Sequence, residues 1–355
     1  MRYRGAIGQW SWILHRLSGL GVVLFLILHV VDTSWAVFYP ELYEHAIKTY
    51  QSPLFTAGEF VLIACVIFHA FNGLRIAIFD FKPELWRHQQ RAIMIVLVAT
   101  ALVLVPVFIG MFGHVIGFYT SDRASTVLGL GDVIAGQLPF LLGFAVAIVA
   151  ALALSGVYGL FTDKGEEVRH QPSQVERFWW SFMRVSALLI IPLVFMHLAA
   201  MHVIQGVFDI NLRGAPIVGV VVDEASLGEV VPIEIDGRNY RGIYEDGSLI
   251  INGINDNGKA VEFVAERWNF MTASVALYRV IDLFLLILVT IHGMNGLRYV
   301  LTDYTMHNRF LQRASVYLCV IAAVVLLSTG GLALLSSAQM VSAEFVAQSI
   351  LGLGG

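Results

Sequence analysis

The sequence predicts an all-α transmembrane helical bundle with about seven spans and a small extramembrane β-hairpin insert. Of the 355 residues, 57% are hydrophobic and only 14% are charged, whereas soluble domains are about one quarter charged. The apolar residues also fall into stretches of roughly 20 residues or more, the length that a helix needs to cross a bilayer. This composition argues against a cytosolic globular enzyme, and the net charge of −4 argues against a nucleic-acid-binding protein.

The predicted spans start close to the N-terminus. Met1–Gln9 lacks the short apolar core and the small-residue cleavage site of a signal peptide, so we expect the N-terminus to be retained. The fourth span contains Pro139 and many small residues. The seven predicted spans are 11–38, 56–80, 92–117, 137–161, 179–206, 271–301 and 314–337.

Lysines and arginines in the short loops predict the direction of the spans. Cytoplasmic loops carry an excess of these residues. The short loops of one side carry only Lys48 and Arg123, so the opposite side is predicted to be cytoplasmic. The N-terminus is then cytoplasmic, and the C-terminus lies outside. The basic residues of the predicted cytoplasmic side are Arg2, Arg4, Lys82, Arg87, Arg91, Lys164, Arg169, Arg177, Arg309 and Arg313.

Residues 207–267 depart from the apolar pattern and predict a β insert on the outer face. Asp236-Gly237 and Asp246-Gly247 separate runs of alternating apolar residues, which is typical of β-hairpins. The favoured interpretation is a cap over the membrane domain, and docking of a partner is the alternative.

The chain contains an internal repeat, because the first and fifth spans resemble each other and the second and sixth do too. In the first pair of spans, Arg16 aligns with Arg184 and His29 with His197. The second pair is related by a different offset. In that pair the equivalent residues are His69 and His292, Asn72 and Asn295, Gly73 and Gly296, Arg75 and Arg298, and Asp80 and Asp303.

The repeat predicts two related three-helix units and a linking helix. Three spans leave the first unit ending outside, whereas the second unit must begin inside, and the fourth span solves this problem. The predicted divisions are a first unit at 1–118, a linker with the extra helix at 119–177, a second unit formed by 178–206 and 268–355, and the outer insert at 207–267.

Four intramembrane histidines form two pairs at two predicted depths. His69 and His292 are predicted to lie at the same depth in the membrane, and His29 and His197 share a second depth. Two imidazoles on facing helices can bind a haem iron from opposite sides of the flat macrocycle. Hydrogen-bonded packing is the alternative for an isolated intramembrane histidine. His202 competes with His197 on the same helix, but the repeat selects His197.

Other residues near these histidines have two interpretations each. Gly73 and Gly296 lie on the same helix face as His69 and His292, where they would leave room for a porphyrin or permit close helix packing. The remaining candidates are cationic or titratable. His15 and Arg16 would either snorkel to the interface or contact haem propionates, and Arg279 would pair with Asp282 or with propionates of the outer haem.

Three segments resemble the cytochrome b membrane anchor of succinate:quinone oxidoreductase (respiratory complex II), with its large and small anchor subunits fused. SWILHRLSG at Ser11–Gly19 is similar to the opening of the large anchor subunit, and HAFNGLRIAIFD at His69–Asp80 to its haem-ligand helix. HGMNGLRYVLTDY at His292–Tyr304 is similar to a segment of the small anchor subunit. The resemblance covers both three-span units, but neither the fourth span nor the insert.

The resemblance implies two haem b groups. His69 and His292 match the axial ligands of the haem nearest the iron–sulfur subunit, and His29 and His197 would hold a distal haem. It also implies contacts to the haem propionates. The candidates for those contacts are His15, Arg75, Arg279 and Arg298.

The resemblance further implies a quinone pocket at the inner boundary. Ser11 and Arg16 match the polar quinone contacts of the family, and Asp303 and Tyr304 match its Asp-Tyr pair. Menaquinone is the quinone expected of two-haem members, with ubiquinone as the alternative. From spacing alone, Asp303 and Tyr304 would instead be an interfacial helix end with an aromatic anchor.

Such an anchor would be one subunit of a larger complex in a bacterial or archaeal cytoplasmic membrane. Cys65 and Cys319 lie in different spans, and no dinucleotide-binding motif is present. Succinate oxidation would therefore belong to a flavoprotein subunit and an iron–sulfur subunit on the cytoplasmic face, with homo-oligomerisation left open. The alternatives are an anchor of fumarate reductase or of another dehydrogenase, such as a hydrogenase or formate enzyme, and a haem-free proton-coupled transporter.

Overall fold

The structure is a computed structural model that describes residues 6–50, 53–120, 130–162, 174–198, 230–235, 238–245, 248–251, 260–269, 271–272 and 275–339. Nine α-helices lie in these ranges. They are α1 (Ile7–Phe38), α2 (Pro40–Tyr50), α3 (Pro53–Phe81), α4 (Gln89–Thr120), α5 (Leu130–Thr162), α6 (Gln174–Leu198), α7 (Ala260–Asn269), α8 (Leu277–Thr305) and α9 (Arg309–Ser336). Short 3-10 helices cover Pro83–His88 and Ser337–Gln339.

Seven helices in the described part of the chain are long and apolar enough to cross a membrane. They are α1, α3, α4 with the 3-10 turn before it, α5, α6, α8 and α9. These helices confirm the predicted transmembrane helical bundle and lie at the predicted spans. The predicted fifth span continues to residue 206, and its last residues lie outside the described ranges.

Prolines mark several helix starts and also lie at interior helix positions, such as Pro106 in α4. Pro40 and Pro53 are the first residues of α2 and α3, where the missing N–H costs no helical hydrogen bond. Helix α2 was not predicted; it buries Tyr43 and Ala46, three residues apart, against the rest of the chain. Pro192 lies inside α6, where it removes one backbone hydrogen bond from the helix.

The insert contains the predicted antiparallel hairpins. Strands β1 (Val230–Ile235), β2 (Arg238–Glu245) and β3 (Ser248–Ile251) form one sheet in sequence order. Ile235 pairs with Arg238 and Glu245 pairs with Ser248, so each hairpin closes where the sequence places an Asp-Gly pair. That pair suits two-residue hairpin connections.

The end of the insert is helical, and the β-like interpretation up to Arg267 was wrong there. In α7, Val264 and Trp268 are buried four residues apart, with Val261 three residues earlier. This is the spacing of one helix face and not of a strand. A short hairpin of β4 (Met271–Thr272) and β5 (Val275–Ala276) follows, so the helix of the sixth span begins at Leu277 and not at residue 271.

Residue contacts divide the chain into two compact units. The first unit comprises Met1–Val31, Thr49–Ile191 and Leu286–Thr329, and its interior includes Ile93, Leu326 and the polar Asn72. The second unit comprises Asp32–Lys48, Pro192–Leu285 and Gly330–Gly355, and its interior includes Ala36, Trp268 and Ser337. This division by contact cuts through α1, α2, α6, α8 and α9, so the boundaries predicted from the repeat stay predictions.

Candidate functional site

Three imidazoles lie close together in the first unit. They belong to His15 of α1, His69 of α3 and His292 of α8, and all three lie within electrostatic range of one another. The rings of His15 and His69 are stacked, with centroids 4.0 Å apart and an interplanar angle of 6°. His15 therefore packs on His69 inside the unit. The guanidinium of Arg75 also lies within electrostatic range of His15.

Both predicted ligands of the first haem have a hydrogen-bond partner at Nδ1. The Nδ1 atom of His69 is 3.1 Å from the carbonyl oxygen of His15. Because a carbonyl only accepts, His69 donates from Nδ1 and carries its lone pair on Nε2. The Nδ1 atom of His292 is 2.9 Å from Oγ of Ser186. Metal-ligating histidines usually have such an Nδ1 partner, although a packing histidine also makes hydrogen bonds of this kind.

Glycines lie next to these rings. A Cβ atom at Gly19 would lie only 2.9 Å from Cε1 of His69, so any larger residue here would force the imidazole to shift. At Gly73 and Gly296 an added Cβ would meet His15 Cε1 at 3.5 Å and Met183 Cε at 3.8 Å, which are ordinary van der Waals distances. The close approach at Gly19 was not predicted.

An asparagine and an arginine form the same hydrogen bond in both halves of the repeat. The Nε atom of Arg75 donates to Oδ1 of Asn72 at 3.0 Å, and that of Arg298 donates to Oδ1 of Asn295 at 2.9 Å. Only the first half adds a serine: Oγ of Ser11 donates to Asn72 Oδ1 at 2.9 Å. The predicted quinone contact Ser11 is thus buried against Asn72.

Several buried nitrogen atoms near the histidines lack a hydrogen-bond partner among the described residues. They are Nδ1 of His15, Nδ2 of Asn72, Nδ2 of Asn295 and Nη2 of Arg298. A buried donor without a partner costs about 1–3 kcal/mol, so a bound acceptor group would be stabilised here. His15 and Arg298 are two of the predicted propionate contacts.

Two ion pairs join the halves of the repeat crosswise. Arg16 of α1 pairs with Asp303 of α8, and Arg184 of α6 pairs with Asp80 of α3 at 2.7 Å. Each arginine thus forms its ion pair with the aspartate of the other half of the repeat. Both guanidinium groups also lie over a tryptophan ring, at 4.1 Å from Trp12 for Arg16 and at 4.2 Å from Trp180 for Arg184.

The predicted quinone residues are only partly brought together. Arg16 and Asp303 are in contact, and the hydroxyl-bearing Tyr304 follows Asp303 at the end of α8 with 75% of its surface exposed. Ser11 lies in the interior, 3% exposed.

The second unit contains a separate polar cluster around Asp282. Its carboxylate accepts hydrogen bonds from Nη2 of Arg267 at 3.1 Å and from Nε1 of Trp268 at 3.0 Å. Nδ1 of His197 lies 3.1 Å from the same carboxylate. The suggested pairing of Arg279 with Asp282 is wrong, because Arg267 reaches Asp282 from α7 while Arg279 donates to Asn269.

The predicted distal pair is not tested by these contacts. His29 belongs to the first unit, where its ring stacks on Phe25 with centroids 5.1 Å apart. His197 belongs to the second unit. His202 lies outside the described residues.

In the described ranges, no group of three or more His, Cys, Asp or Glu side chains is arranged to hold a metal ion. A haem iron needs fewer protein ligands, because the porphyrin supplies the rest. The partnered histidines, the close approach at Gly19 and the buried donors without partners fit a haem with anionic propionates.

Fold and site together define a polytopic membrane protein with histidines and arginines in its interior. The family model described as "Succinate dehydrogenase/Fumarate reductase transmembrane subunit" matches residues 1–108. The chain belongs to this family, and it is a membrane-anchor subunit of a succinate dehydrogenase complex.

Two curated relatives agree with this assignment. The succinate dehydrogenase 2 membrane subunit of Mycobacterium tuberculosis is 38% identical over 104 residues, which cover 29% of this chain and 76% of the relative. The succinate dehydrogenase hydrophobic membrane anchor subunit of Halobacterium salinarum is 26% identical over 99 residues, 28% of this chain and 75% of the relative. No solved structure matches the chain.

Proposed function

We propose that this chain is a fused cytochrome b anchor that binds two haem b groups and passes electrons from an iron–sulfur subunit to quinone. The observation that carries the proposal is the stacking of His15 on His69 in the unit that also contains His292 and Arg75. Histidines hydrogen-bonded at Nδ1 and cations among apolar helices form a donor set that fits a haem with two propionates.

For the first haem, His69 and His292 would bind the iron through Nε2. The carbonyl of His15 holds the ring of His69 in that tautomer, and Ser186 holds the ring of His292. His15, Arg75 and Arg298 would contact the propionates. A bound haem b supplies one-electron storage and transfer.

For the second haem, His29 and His197 are the proposed axial ligands. The contact of His197 with Asp282 gives its Nδ1 an acceptor, which supports a ligating role for Nε2. Arg279 was expected at the propionates of this haem; its hydrogen bond to Asn269 leaves its other guanidinium donors for that role.

Quinone would be reduced beside the Arg16–Asp303 pair. Reduction to quinol adds two electrons and two protons and builds negative charge on the quinone oxygens. Arg16 would stabilise that charge by a charge-assisted hydrogen bond, while Asp303 holds the guanidinium in place. The exposed hydroxyl of Tyr304 would donate a second hydrogen bond and exchange its proton with water. Buried Ser11 would act through Asn72 and Arg75.

The proposal also covers the partner subunits, the orientation in the membrane and the type of quinone. A flavoprotein and an iron–sulfur subunit would dock on the cytoplasmic face, on the side of the N-terminus, while residues 207–267 and the C-terminus lie outside. The membrane would be the cytoplasmic membrane of a bacterium or archaeon. Menaquinone is the favoured electron acceptor, with ubiquinone as the alternative. The oligomeric state of the complex is left open.

Spectroscopy of the complex purified through this chain tests the proposal. We expect b-type bands in the reduced-minus-oxidised spectrum, and flavin and iron–sulfur subunits in the preparation. His69→Ala or His292→Ala should remove one haem, and His29→Ala or His197→Ala the other. His307→Ala is the matched control, because His307 is exposed just beyond α8 and should leave both haems.

The same experiment separates the alternatives. A chain that purifies alone and shows no b-type bands is the result expected of a haem-free transporter and would overturn the proposal. Haems with a different soluble partner would indicate another dehydrogenase. Comparing succinate oxidation with fumarate reduction by the intact complex identifies the direction.

A further inference from the structure

The helix at the end of the insert reaches one carboxylate in the membrane-spanning part of the second unit. Arg267 and Trp268 of α7 both donate to Asp282 of α8. All three side chains are largely buried: Arg267 is 4% exposed, Trp268 is 5% exposed, and the Asp282 side chain is 10% exposed. The insert is thus joined to a transmembrane helix by buried, directional bonds.

The same carboxylate fixes the tautomer of His197. A carboxylate only accepts, so the 3.1 Å contact with Asp282 requires a proton on Nδ1 of His197. A neutral imidazole with this proton carries its lone pair on Nε2. Arg267 lies 3.5 Å from the same Nδ1, and because both groups are donors they point at Asp282 and not at each other.

This environment differs from that of the other predicted ligands. Nδ1 of His69 faces a backbone carbonyl, and Nδ1 of His292 faces a serine hydroxyl. Among these three, His197 alone has a charged acceptor. A carboxylate on Nδ1 raises the basicity of Nε2 and fixes the orientation of the ring.

Stability alone gives a weak account of this cluster. Burying an ion pair costs more in lost hydration than it commonly returns, so apolar residues of similar size would serve a cap as well or better. The arrangement is explained if the ion pair serves to orient His197.

We propose that α7 completes the ligand site of His197, with Asp282, Arg267 and Trp268 as positioning residues. Arg267 and Trp268 hold the Asp282 carboxylate against Nδ1, an orientation in which His197 would bind the second haem through Nε2. The insert then has a role beyond covering the membrane domain. This inference rests on the second haem of the proposed function.

The test measures haem content and the midpoint potential of each haem in the purified complex. Asp282→Asn keeps an acceptor for Nδ1 but removes its charge. We expect it to lower the affinity for one haem about 10- to 100-fold and to raise the potential of that haem, because a less basic ligand stabilises ferric iron less. The affected haem should be the one that His197→Ala removes.

Asp282→Asn leaves the buried charge of Arg267 without a counter-charge, which could unfold the protein. Two further variants test the inference in that case. The double variant Asp282→Asn, Arg267→Gln removes both charges together and should shift the same haem. Trp268→Phe deletes one hydrogen bond and should shift it in the same direction by less. Val264→Ala is the matched control, because it weakens the packing of buried α7 without removing any group that can bond to Asp282.

The outcomes separate this inference from the proposed function. If His197→Ala removes a haem while Asp282→Asn and the double variant leave both potentials and haem content unchanged, α7 has no positioning role. An equal shift in Val264→Ala would also overturn it, because docking of α7 would then be the cause. A wild-type complex with one haem, unaffected by His197→Ala, refutes the second haem and this inference, but leaves the first haem and the anchor.

Discussion

The two crossed ion pairs of the first unit are equivalent by the repeat but differ in their surroundings. Both arginines have one aspartate partner and one tryptophan ring. Asp303 is 49% exposed, whereas Asp80 is only 16% exposed. Tyr304 follows Asp303, whereas Phe81 follows Asp80.

This difference indicates that the arginine–aspartate–tryptophan arrangement common to both sites is structural. The groups found at one site alone, Tyr304 and an exposed carboxylate, are the ones suited to quinone chemistry. An arginine–aspartate pair over a tryptophan fastens two helices in either place. Only the pair at Asp303 has a neighbouring phenol and an accessible carboxylate. The repeat-related pair at Asp80 has neither, so we assign it to holding the helices together.

Separate substitution of the two arginines tests most directly whether the two ion pairs have different roles. A hydrogen bond to a charged group contributes about 1.5–3 kcal/mol, so Arg16→Gln should lower kcat/KM for quinone by about 10- to 100-fold. Arg184→Gln should change it less than about 3-fold. Quinone reduction by the intact complex measures both effects, and reduction of a soluble dye at the flavoprotein is the control. Equal losses would contradict the assignment.

A second prediction concerns Gly19, whose repeat equivalent is Ala187. An added Cβ would lie 2.9 Å from Cε1 of His69, so Gly19→Ala should displace that ring at a cost of about 1–3 kcal/mol. The spectrum of the first haem should change or be lost, and the second haem should stay. Gly21→Ala is the control, because its Cβ would meet Cys65, at 3.4 Å from Sγ and 4.0 Å from Cβ, and no histidine. An unchanged spectrum in Gly19→Ala would mean that His69 does not bind the haem.

The smallest expected effect concerns the stability of the Arg184–Asp80 pair. Both side chains are about four-fifths buried, so removing either one should cost about 1–2 kcal/mol, between the values for surface and buried pairs. The charge-exchanged double variant D80R/R184D should recover part of that loss. Thermal unfolding in detergent measures all three variants. If the double variant loses as much as the two single variants together, the pair contributes no coupling.

Much of the fold was predictable because it depends on composition along the chain. Apolar stretches locate the seven helices, and Asp-Gly pairs locate both hairpins of β1–β3. Helix α7 was missed because Val261, Val264 and Trp268 provide only a short apolar face within a polar insert. Helix α2 was missed for the same reason: it is short and mostly polar.

The site was predictable as a set of residue types, but its pairings were not. The repeat aligns Arg16 with Arg184 and Asp80 with Asp303, yet it does not state that each arginine takes the aspartate of the other half. Asp282 lies 85 residues from His197 in the sequence, and only the folded chain brings them together. The Asn–Arg hydrogen bond did have a signal in the sequence. Asn72 and Arg75 are three residues apart, and the repeat contains the same spacing in its other half.

The crossed pairing has a consequence for the origin of the chain. In a two-fold symmetric dimer, residue i of one copy meets residue j of the other, and j meets i in return. The bonds of Arg16 to Asp303 and of Arg184 to Asp80 have this reciprocity within one polypeptide. An ancestor with one arginine and one aspartate per copy would have formed both bonds as a homodimer. Divergence of the copies after a gene duplication would then give one bond Tyr304 as its neighbour and the other Phe81.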